Sequence, residues 1–375
     1  MKRPTIGINL LWLVPGEVGG SEESTLASVR ALLAMAEPSF DLRLFALEPF
    51  GQAHPDVVAA LPTEVLPLSG RARWGRVVAE ATWLAARSRG LDLMHHAGGT
   101  APPVRGAPYV LTLHDLQPLE ASLTHNLLKR TYLRAAIPPS VGHARMTAVP
   151  SEFVRQSVLA RLDVDAERVV VVPHGVEVHA DATPVEVLRE RYRLDGPVVL
   201  YPAITYPHKN HAVLVEAFAE VVRAHPDALL VLSGGRGGEE DRLRDQIDRL
   251  GLRDRVRRTG RISVADVAGL YREAHLVAVP SRYEGFGLPA AEAMAYGAPL
   301  VAAAATALPE VVGDAGVLVA PDDVHGWAVA ISDLLADERE RARRGALGLE
   351  RARRHTWAAN ARALANLYRR ALEHG

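Results

Sequence analysis

The sequence predicts an α/β protein built from two parallel-sheet domains, and three observations carry that expectation. Short β-branched and apolar runs alternate with longer helical patterns from end to end, the signature of repeated strand-helix units. A chain of 375 residues is long enough for two domains of ordinary size, each with its own core. The alternation restarts after a polar, proline-containing stretch, Glu177-Val-His-Ala-Asp-Ala-Thr-Pro184, where a linker is expected.

Taken in order, strands are expected at Ile6 to Leu13, Leu42 to Ala46, Leu91 to His95, Tyr109 to Leu113, Met146 to Val149 and Val169 to Val172. The second series runs Val198 to Pro202, Leu229 to Leu232, Arg255 to Arg258, Leu276 to Val279, Leu300 to Ala302 and Val317 to Val319. Helical patterns fill the gaps, and the last of them, Thr356 to Leu372, spaces Trp357, Leu364, Leu367 and Tyr368 for one apolar face. A boundary near residue 180 therefore separates a first domain, 1–180, from a second, 181–355, with 356–375 as a closing helix. No short-period repeat or low-complexity tract interrupts the scheme.

Composition narrows the function. Apolar residues make up 48% and charged residues 23% of the chain, the balance of a globular protein. With 43 basic and 44 acidic residues the net charge is -1, so no global field draws nucleic acid, and any polyanion must be met by a local patch. There are no cysteines, which excludes disulfides and thiolate metal sites and is compatible with a reducing compartment. No apolar run reaches the roughly 18 residues of a membrane span, and Met1-Lys-Arg-Pro4 leads into a strand-like run rather than a secretory signal, so a cytoplasmic protein is expected.

The most informative segment is Pro280-Ser-Arg-Tyr-Glu-Gly-Phe-Gly-Leu-Pro-Ala-Ala-Glu292. It follows a buried strand, and Pro289 suits the first turn of a helix that continues through Met294 and stops near Gly297. Glu284 then lies in the loop and Glu292 on the helix. Gly285 and Gly287 let backbone amides approach a ligand, and the helix N-terminus behind them favours an anion. A carboxylate accepts two hydroxyl hydrogen bonds at once, so two carboxylates flanking an anion site suit a ligand that is part sugar and part diphosphate.

Glu284 and Glu292, with seven residues between them and Gly285-Phe286-Gly287-Leu288 after the first, resemble the E-x7-E signature of retaining glycosyltransferase family four. The match extends through Ala293-Met-Ala and Gly297 to Pro299. The resemblance implies a GT-B fold, two Rossmann-like domains whose parallel sheets face a central cleft, with the C-terminal helix returning to the first domain. It implies that Glu284 holds hydroxyls of the transferred sugar and Glu292 those of the ribose. It also implies a nucleotide-diphosphate sugar as donor substrate, no metal, and a glycan or lipid-linked glycan as acceptor.

Other segments fall into place around this one. Val199 to Asn210 reads as a strand followed by a loop with Lys209 at its tip, and it resembles the family segment whose lysine neutralises the donor diphosphate. Many members carry an arginine five residues before that lysine, where this chain has Ile204, and His208, Arg261 and Arg282 are candidates to replace it. Pro15-Gly-Glu-Val-Gly-Gly-Ser21 joins the first strand to a helix, and Gly19 and Gly20 resemble the family's glycine pair near donor phosphates and acceptor. His114 follows an apolar run and resembles the first-domain histidine that contacts the transferred sugar; His95 and His96 are expected to shape the acceptor side. Ser233 and Gly234 resemble the small-residue turn beside the nucleotide, and Arg261, after Gly260, is expected near the base. His174 stands where the family's hinge usually has asparagine.

Several readings compete less well. Asp163-Val-Asp165 matches a metal-binding D-x-D pattern, but aspartates just before a strand are usually turn residues. No His-Glu-x-x-His, Gly-x-Ser-x-Gly or Gly-x-Gly-x-x-Gly pattern supports a metalloprotease, serine hydrolase or nicotinamide dehydrogenase. A helix from about Arg71 to Arg89 carries Arg71, Arg73, Trp74, Arg76, Trp83, Arg87 and Arg89, and is either a solvated arginine face over a packed one or a peripheral contact with an anionic membrane. The functional expectation is a retaining hexosyltransferase of polysaccharide biosynthesis, with a mannosyltransferase favoured because the Pro202 to Asn210 loop is most similar to branches using GDP-mannose-type donors. Its rivals are another GT-B enzyme, an epimerase or phosphorylase, and a non-catalytic sugar-nucleotide-binding protein.

Overall fold

The computed structural model describes residues 3–373 apart from 17–19, 37–38 and 121–126. The chain divides into two compact units, Met1–Gly175 with Trp357–Gly375, and Val176–Thr356, so the boundary expected near residue 180 lies just inside the second.

The first unit is a seven-stranded parallel sheet: β1 (Thr5–Asn9), β2 (Asp41–Leu47), β3 (Thr63–Leu66), β4 (Leu93–His96), β5 (Tyr109–Thr112), β6 (Met146–Val149) and β7 (Val169–Val171), in the order β3-β2-β1-β4-β5-β6-β7. Side chains alternate across it as the pleat requires. Ile6, Ile8, Leu42 and Leu44 join one core with Leu26 and Val29 of the helix Gly20–Leu33 and with Ala361, Leu364, Leu367 and Tyr368 of the helix Trp357–Glu373. Phe45, Leu47, Met94 and Leu111 build the opposite core. The C-terminal helix thus belongs to the first unit by its own apolar face.

Two elements depart from expectation. The first strand ends at Asn9 instead of continuing to Leu13, because the Asn9 side chain accepts from the Leu11 amide at 3.0 Å and bends the chain into a buried turn. The Leu10 to Leu13 run is apolar because that turn is buried. β3 went unread because an edge strand of four half-exposed residues leaves little apolar signal.

The expected helix from Arg71 to Arg89 is shorter. It runs Arg73–Ala79, passes through a π-helical turn at Glu80–Leu84 and ends with Ala85–Arg87, leaving Arg71 and Arg89 outside. The extra residue of the π turn fits the two contacts seen there: Glu80 reaches inward to Asn9, and Trp83 packs edge-on against Phe45 with ring centroids 6.0 Å apart.

The second unit is a six-stranded parallel sheet: β8 (Val198–Pro202), β9 (Leu229–Ser233), β10 (Val256–Gly260), β11 (Leu276–Val279), β12 (Leu300–Ala303) and β13 (Gly316–Val319). Its order, β10-β9-β8-β11-β12-β13, is that of a doubly wound Rossmann sheet, in which the chain reverses direction between β8 and β11. Its four inner strands, β8, β9, β11 and β12, are buried almost throughout, as a sheet covered on both faces requires. In such sheets ligands bind beyond the carboxyl ends of the strands at the reversal point. The loops that follow β8 and β11 carry Lys209 and Glu284.

Candidate active site

Why the β8 loop holds its shape is legible residue by residue. After Pro202 it closes with a 3-10 turn at Pro207–Lys209, and Asn210 takes a left-handed φ of 59° before the helix His211–Ala224. Asparagine tolerates that conformation, and its side-chain amide donates to the carbonyl oxygens of Pro280, at 3.1 Å, and Pro321, at 2.7 Å. Asn210 therefore ties the β8 loop to the β11 loop. The buried Tyr201 hydroxyl adds a second tie, donating to the Lys209 carbonyl and meeting Ser281 Oγ, both at 2.9 Å. Thr205 braces the other side, donating to Glu240 at 2.9 Å and accepting from the Gly237 amide at 2.7 Å.

Within this frame Lys209 Nζ donates to Glu284 Oε1 at 2.6 Å, with both side chains largely covered. Burial works to raise the Glu284 carboxyl, but the Lys209 ammonium, together with hydrogen bonds from Lys209 and Ser281, outweighs it and holds the group below the usual carboxylate range. The Glu284 amide donates to Thr306 Oγ1 at 3.0 Å, which fixes the loop from the β12 side.

Gly287 has φ 96° and caps the helix Leu288–Ala295, whose first turn contains Pro289. That φ favours glycine, and a Cβ at Gly287 would also press on the Leu308 side-chain tip at 2.6 Å. Phe286 is buried, with its ring edge-on to His355 at 5.3 Å, and Leu288 packs against the second unit's core. Glu292, one turn into the helix, accepts from the Tyr271 hydroxyl at 2.7 Å. Tyr271 stacks on Tyr296 with ring centroids 5.3 Å apart, and Tyr296 in turn accepts from the His179 amide at 2.9 Å.

The remaining second-unit residues sort as follows. Ser233 is buried at the end of β9, and a Cβ at Gly234 would lie 2.4 Å from the Ala203 carbonyl oxygen, so the β9 loop abuts the β8 loop. Of the candidates for a second cation, Arg282 is engaged by Asp322 at 2.5 Å, His208 stacks on Tyr206 at 5.8 Å, and Arg261 is exposed. Asp165 caps a 3-10 turn by accepting from the Glu167 amide at 2.9 Å, the turn role read from the sequence.

In the first unit, Gly19 lies outside the described residues and Gly20 opens the helix Gly20–Leu33. His114 is half-buried, meets the Ala97 carbonyl through Nε2 at 2.9 Å and stacks on His174 with centroids 5.9 Å apart. Burial pushes its pKa down, so the ring is neutral and Nε2 is the donor. His95 bonds Tyr368 and Thr112, both at 2.7 Å, while His96 meets Asn9 at 3.1 Å. Burial lowers each of these two to about 3. They tie β4 to the C-terminal helix and to β1. The cavity beside His95, His114 and His174 measures about 30 Å³, room for a water or two.

The sequence reading missed Asn210, Thr306 and Tyr271 as site-building residues. Asn210 directly after the loop lysine was the one available signal; the other two act from elements distant in sequence. It also missed Glu80, whose carboxylate accepts from Asn9 at 2.7 Å and is raised by burial to about 7.

Comparisons with known proteins agree with this geometry. Residues 18–180 match the family model described as Glycosyltransferase Family 4, and residues 186–351 match Glycosyl transferases group 1. The chain is 31% identical over 274 residues to O-antigen chain mannosyltransferase B of Escherichia coli, covering 71% of each. It is 34% identical over 314 residues to a D-inositol 3-phosphate glycosyltransferase of Xylanimonas cellulosilytica, covering 80% of this chain and 72% of that one. Across such relatives the matched stretch spans from 55% to 72% of their length. The crystal structure of Anabaena HepE in complex with UDP-glucose superposes with a TM-score of 0.77 at 23% identity, over 97% of this chain and 99% of that one, which shows a common fold. A lysine and a glutamate brought together at the reversal point of a Rossmann sheet, on a chain matched by these models and relatives over most of its length, place the protein in glycosyltransferase family 4, with the GT-B fold.

Proposed function

We propose that this glycosyltransferase is a retaining hexosyltransferase that takes a hexose from a nucleotide-diphosphate sugar and delivers it to a hydroxyl of a glycan or lipid-linked glycan. The observation that carries the reading is the 2.6 Å contact between Lys209 and Glu284 where the β8 and β11 loops meet. An arriving diphosphate takes over the Lys209 ammonium, which frees a Glu284 oxygen to accept sugar hydroxyls. Glu292, held by Tyr271, accepts the ribose hydroxyls. Breaking the anomeric bond moves charge onto the leaving diphosphate, and Lys209 with the N-terminal amides of the helix Leu288–Ala295 stabilises it. The leaving phosphate accepts the acceptor's proton on the same face, so configuration is retained, and Glu284 stays a hydroxyl acceptor rather than a covalent nucleophile. His114, in the first unit, whose Nε2 donates to the Ala97 carbonyl, accepts from a sugar hydroxyl through Nδ1.

Because the chain supplies its own positive charge, transfer proceeds without a divalent cation, and activity is expected to survive chelation by EDTA. GDP-mannose is the first donor to test, given the likeness to a mannosyltransferase. The deciding assay measures nucleoside diphosphate release with and without acceptor and the anomeric configuration of the product by NMR. Acceptor-dependent release with retained configuration supports the reading. Release without acceptor, or inversion, overturns it in favour of another GT-B chemistry, and donor binding with no turnover leaves a binding protein.

A further inference from the structure

We propose that Thr205, Glu240 and Arg258 form a positioning cluster that sets the affinity for the donor without touching it, by locking the loops after β8, β9 and β10 into one frame. The inference rests on the reading of the second unit as a nucleotide-diphosphate site and goes beyond it, since none of the three residues belongs to the constellation of Lys209, Glu284 and Glu292.

Thr205 is buried in the β8 loop, four residues before Lys209. It makes four hydrogen bonds to residues 235–240. Its amide donates to the Gly235 carbonyl at 3.4 Å, and its carbonyl accepts from the Glu239 amide at 3.0 Å. Its hydroxyl accepts from the Gly237 amide at 2.7 Å and donates to Glu240 Oε2 at 2.9 Å. The backbone and the side chain of one residue are thus committed to the β9 loop and to the start of the helix Glu240–Arg249. Gly237 permits the approach, since a Cβ there would lie 2.5 Å from the Thr205 carbonyl oxygen.

Glu240 carries the frame on to β10. One of its oxygens takes the Thr205 hydroxyl and the other pairs with the Arg258 guanidinium, near the end of that strand. Burial, and after it the charge of Arg236, works to lower the Arg258 pKa, so the Glu240 carboxylate is the charge that compensates this guanidinium. A backbone bond from the Gly234 amide to the Gly260 carbonyl, at 3.0 Å, ties the same two loops again.

Ile204, immediately before Thr205, gives the cluster its importance. It stands where the family pattern has an arginine, and an aliphatic side chain cannot draw the loop onto a phosphate. The β8 loop therefore keeps its shape through bonds within the protein. A loop already ordered spares the donor the cost of ordering it, which is how residues that never meet a ligand act on its affinity.

The test is titration calorimetry on the full chain with UDP, GDP, ADP and dTDP, the tightest binder then being used for every variant. Thr205→Val keeps the side-chain shape and loses the hydroxyl, Thr205→Ser keeps the hydroxyl, and Glu240→Ala removes the partner of both Thr205 and Arg258. Asp266→Ala, which breaks bonds to Thr183, Arg191 and Tyr192, is the control for lost stability alone. Circular dichroism verifies that each variant is folded at the temperature of the titration. Thr205→Val and Glu240→Ala are expected to raise Kd on the order of tenfold, the scale of one or two lost hydrogen bonds, and in turnover to raise the donor KM with kcat little changed. Thr205→Ser is expected to bind as the wild type does, and Asp266→Ala to keep its Kd while its thermal midpoint falls. Wild-type affinity in Thr205→Val or Glu240→Ala, a Thr205→Ser as weak as Thr205→Val, an equal loss in Asp266→Ala, or a fall in kcat alone overturns the proposal and leaves the donor reading standing. A wild type that binds none of the four diphosphates overturns both together.

Discussion

Lys209 and Glu284 neutralise one another at 2.6 Å in a largely covered site, so removing either leaves a buried charge unmatched as well as a missing ligand contact. Lys209→Ala is expected to lower kcat/KM about 10²- to 10³-fold, the scale of a lost charge-stabilising donor, and Lys209→Arg to restore part of it. Steady-state kinetics with the identified donor checks both. Tyr271→Phe keeps the ring stack on Tyr296 but removes the hydroxyl that donates to Glu292. It should raise the KM for donor several-fold with kcat little changed, and reduce discrimination between ribo- and deoxyribonucleotide inhibitors. A variant that lowers kcat alone would place Tyr271 in a purely structural role. Because Glu284 is held below the usual carboxylate range, its charge persists at mildly acidic pH, and donor binding should not weaken between about pH 8 and pH 5 on its account.

Among elements, the helix Val185–Tyr192, which follows the linker, is pinned to the helix Val264–Glu273 by one carboxylate. Asp266 accepts from Thr183 and Arg191 at 2.6 Å each and from Tyr192 at 2.7 Å. Burial works against the charge, but these hydrogen bonds and Arg191 lower its pKa to about 2. Its contribution is complete above the ordinary value of 3.8 and is lost as pH falls through about 2. Asp266→Ala is expected to destabilise the protein by about 2–3 kcal/mol, read from urea unfolding at neutral pH. No sequence pattern marks Asp266 for this role, because its partners lie 74 to 83 residues away. The strands at Val198 and Leu276 were legible because a strand covered on both faces is apolar almost without interruption. The Glu292 helix was legible from Pro289 and Gly297, the latter at φ 71°. What escaped, β3 and the π turn, depends on an exposed sheet edge and on a buried Glu80 that reads as a surface residue until Asn9 is found beside it.

Across the whole molecule, buried neutral histidines set the acid limit. His95, His96 and His174 in the first unit and His211 in the second are lowered to about 3 from an ordinary 6.5, chiefly by burial. The unfolded chain takes up these protons first, so stability is full above about pH 6.5 and falls as pH drops toward 3. The thermal midpoint should therefore decline between about pH 7 and pH 5, before Asp266 titrates, and His95→Gln should flatten that decline. A midpoint constant over the range would contradict the assignment. Both E-x7-E carboxylates and the loop lysine belong to residues 176–356, so nucleotide sugar should stabilise the chain through contacts that one substitution there can remove. The direct measurement is the thermal midpoint of wild type and Lys209→Ala with UDP-, GDP-, ADP- and dTDP-sugars at saturating concentration. One donor is expected to stabilise the wild type by about 2.7 kcal/mol at a hundredfold excess over its Kd, and to leave Lys209→Ala nearly unshifted. Equal shifts in both proteins, or none with any donor, would contradict a sugar-nucleotide grip built on Lys209 and Glu284.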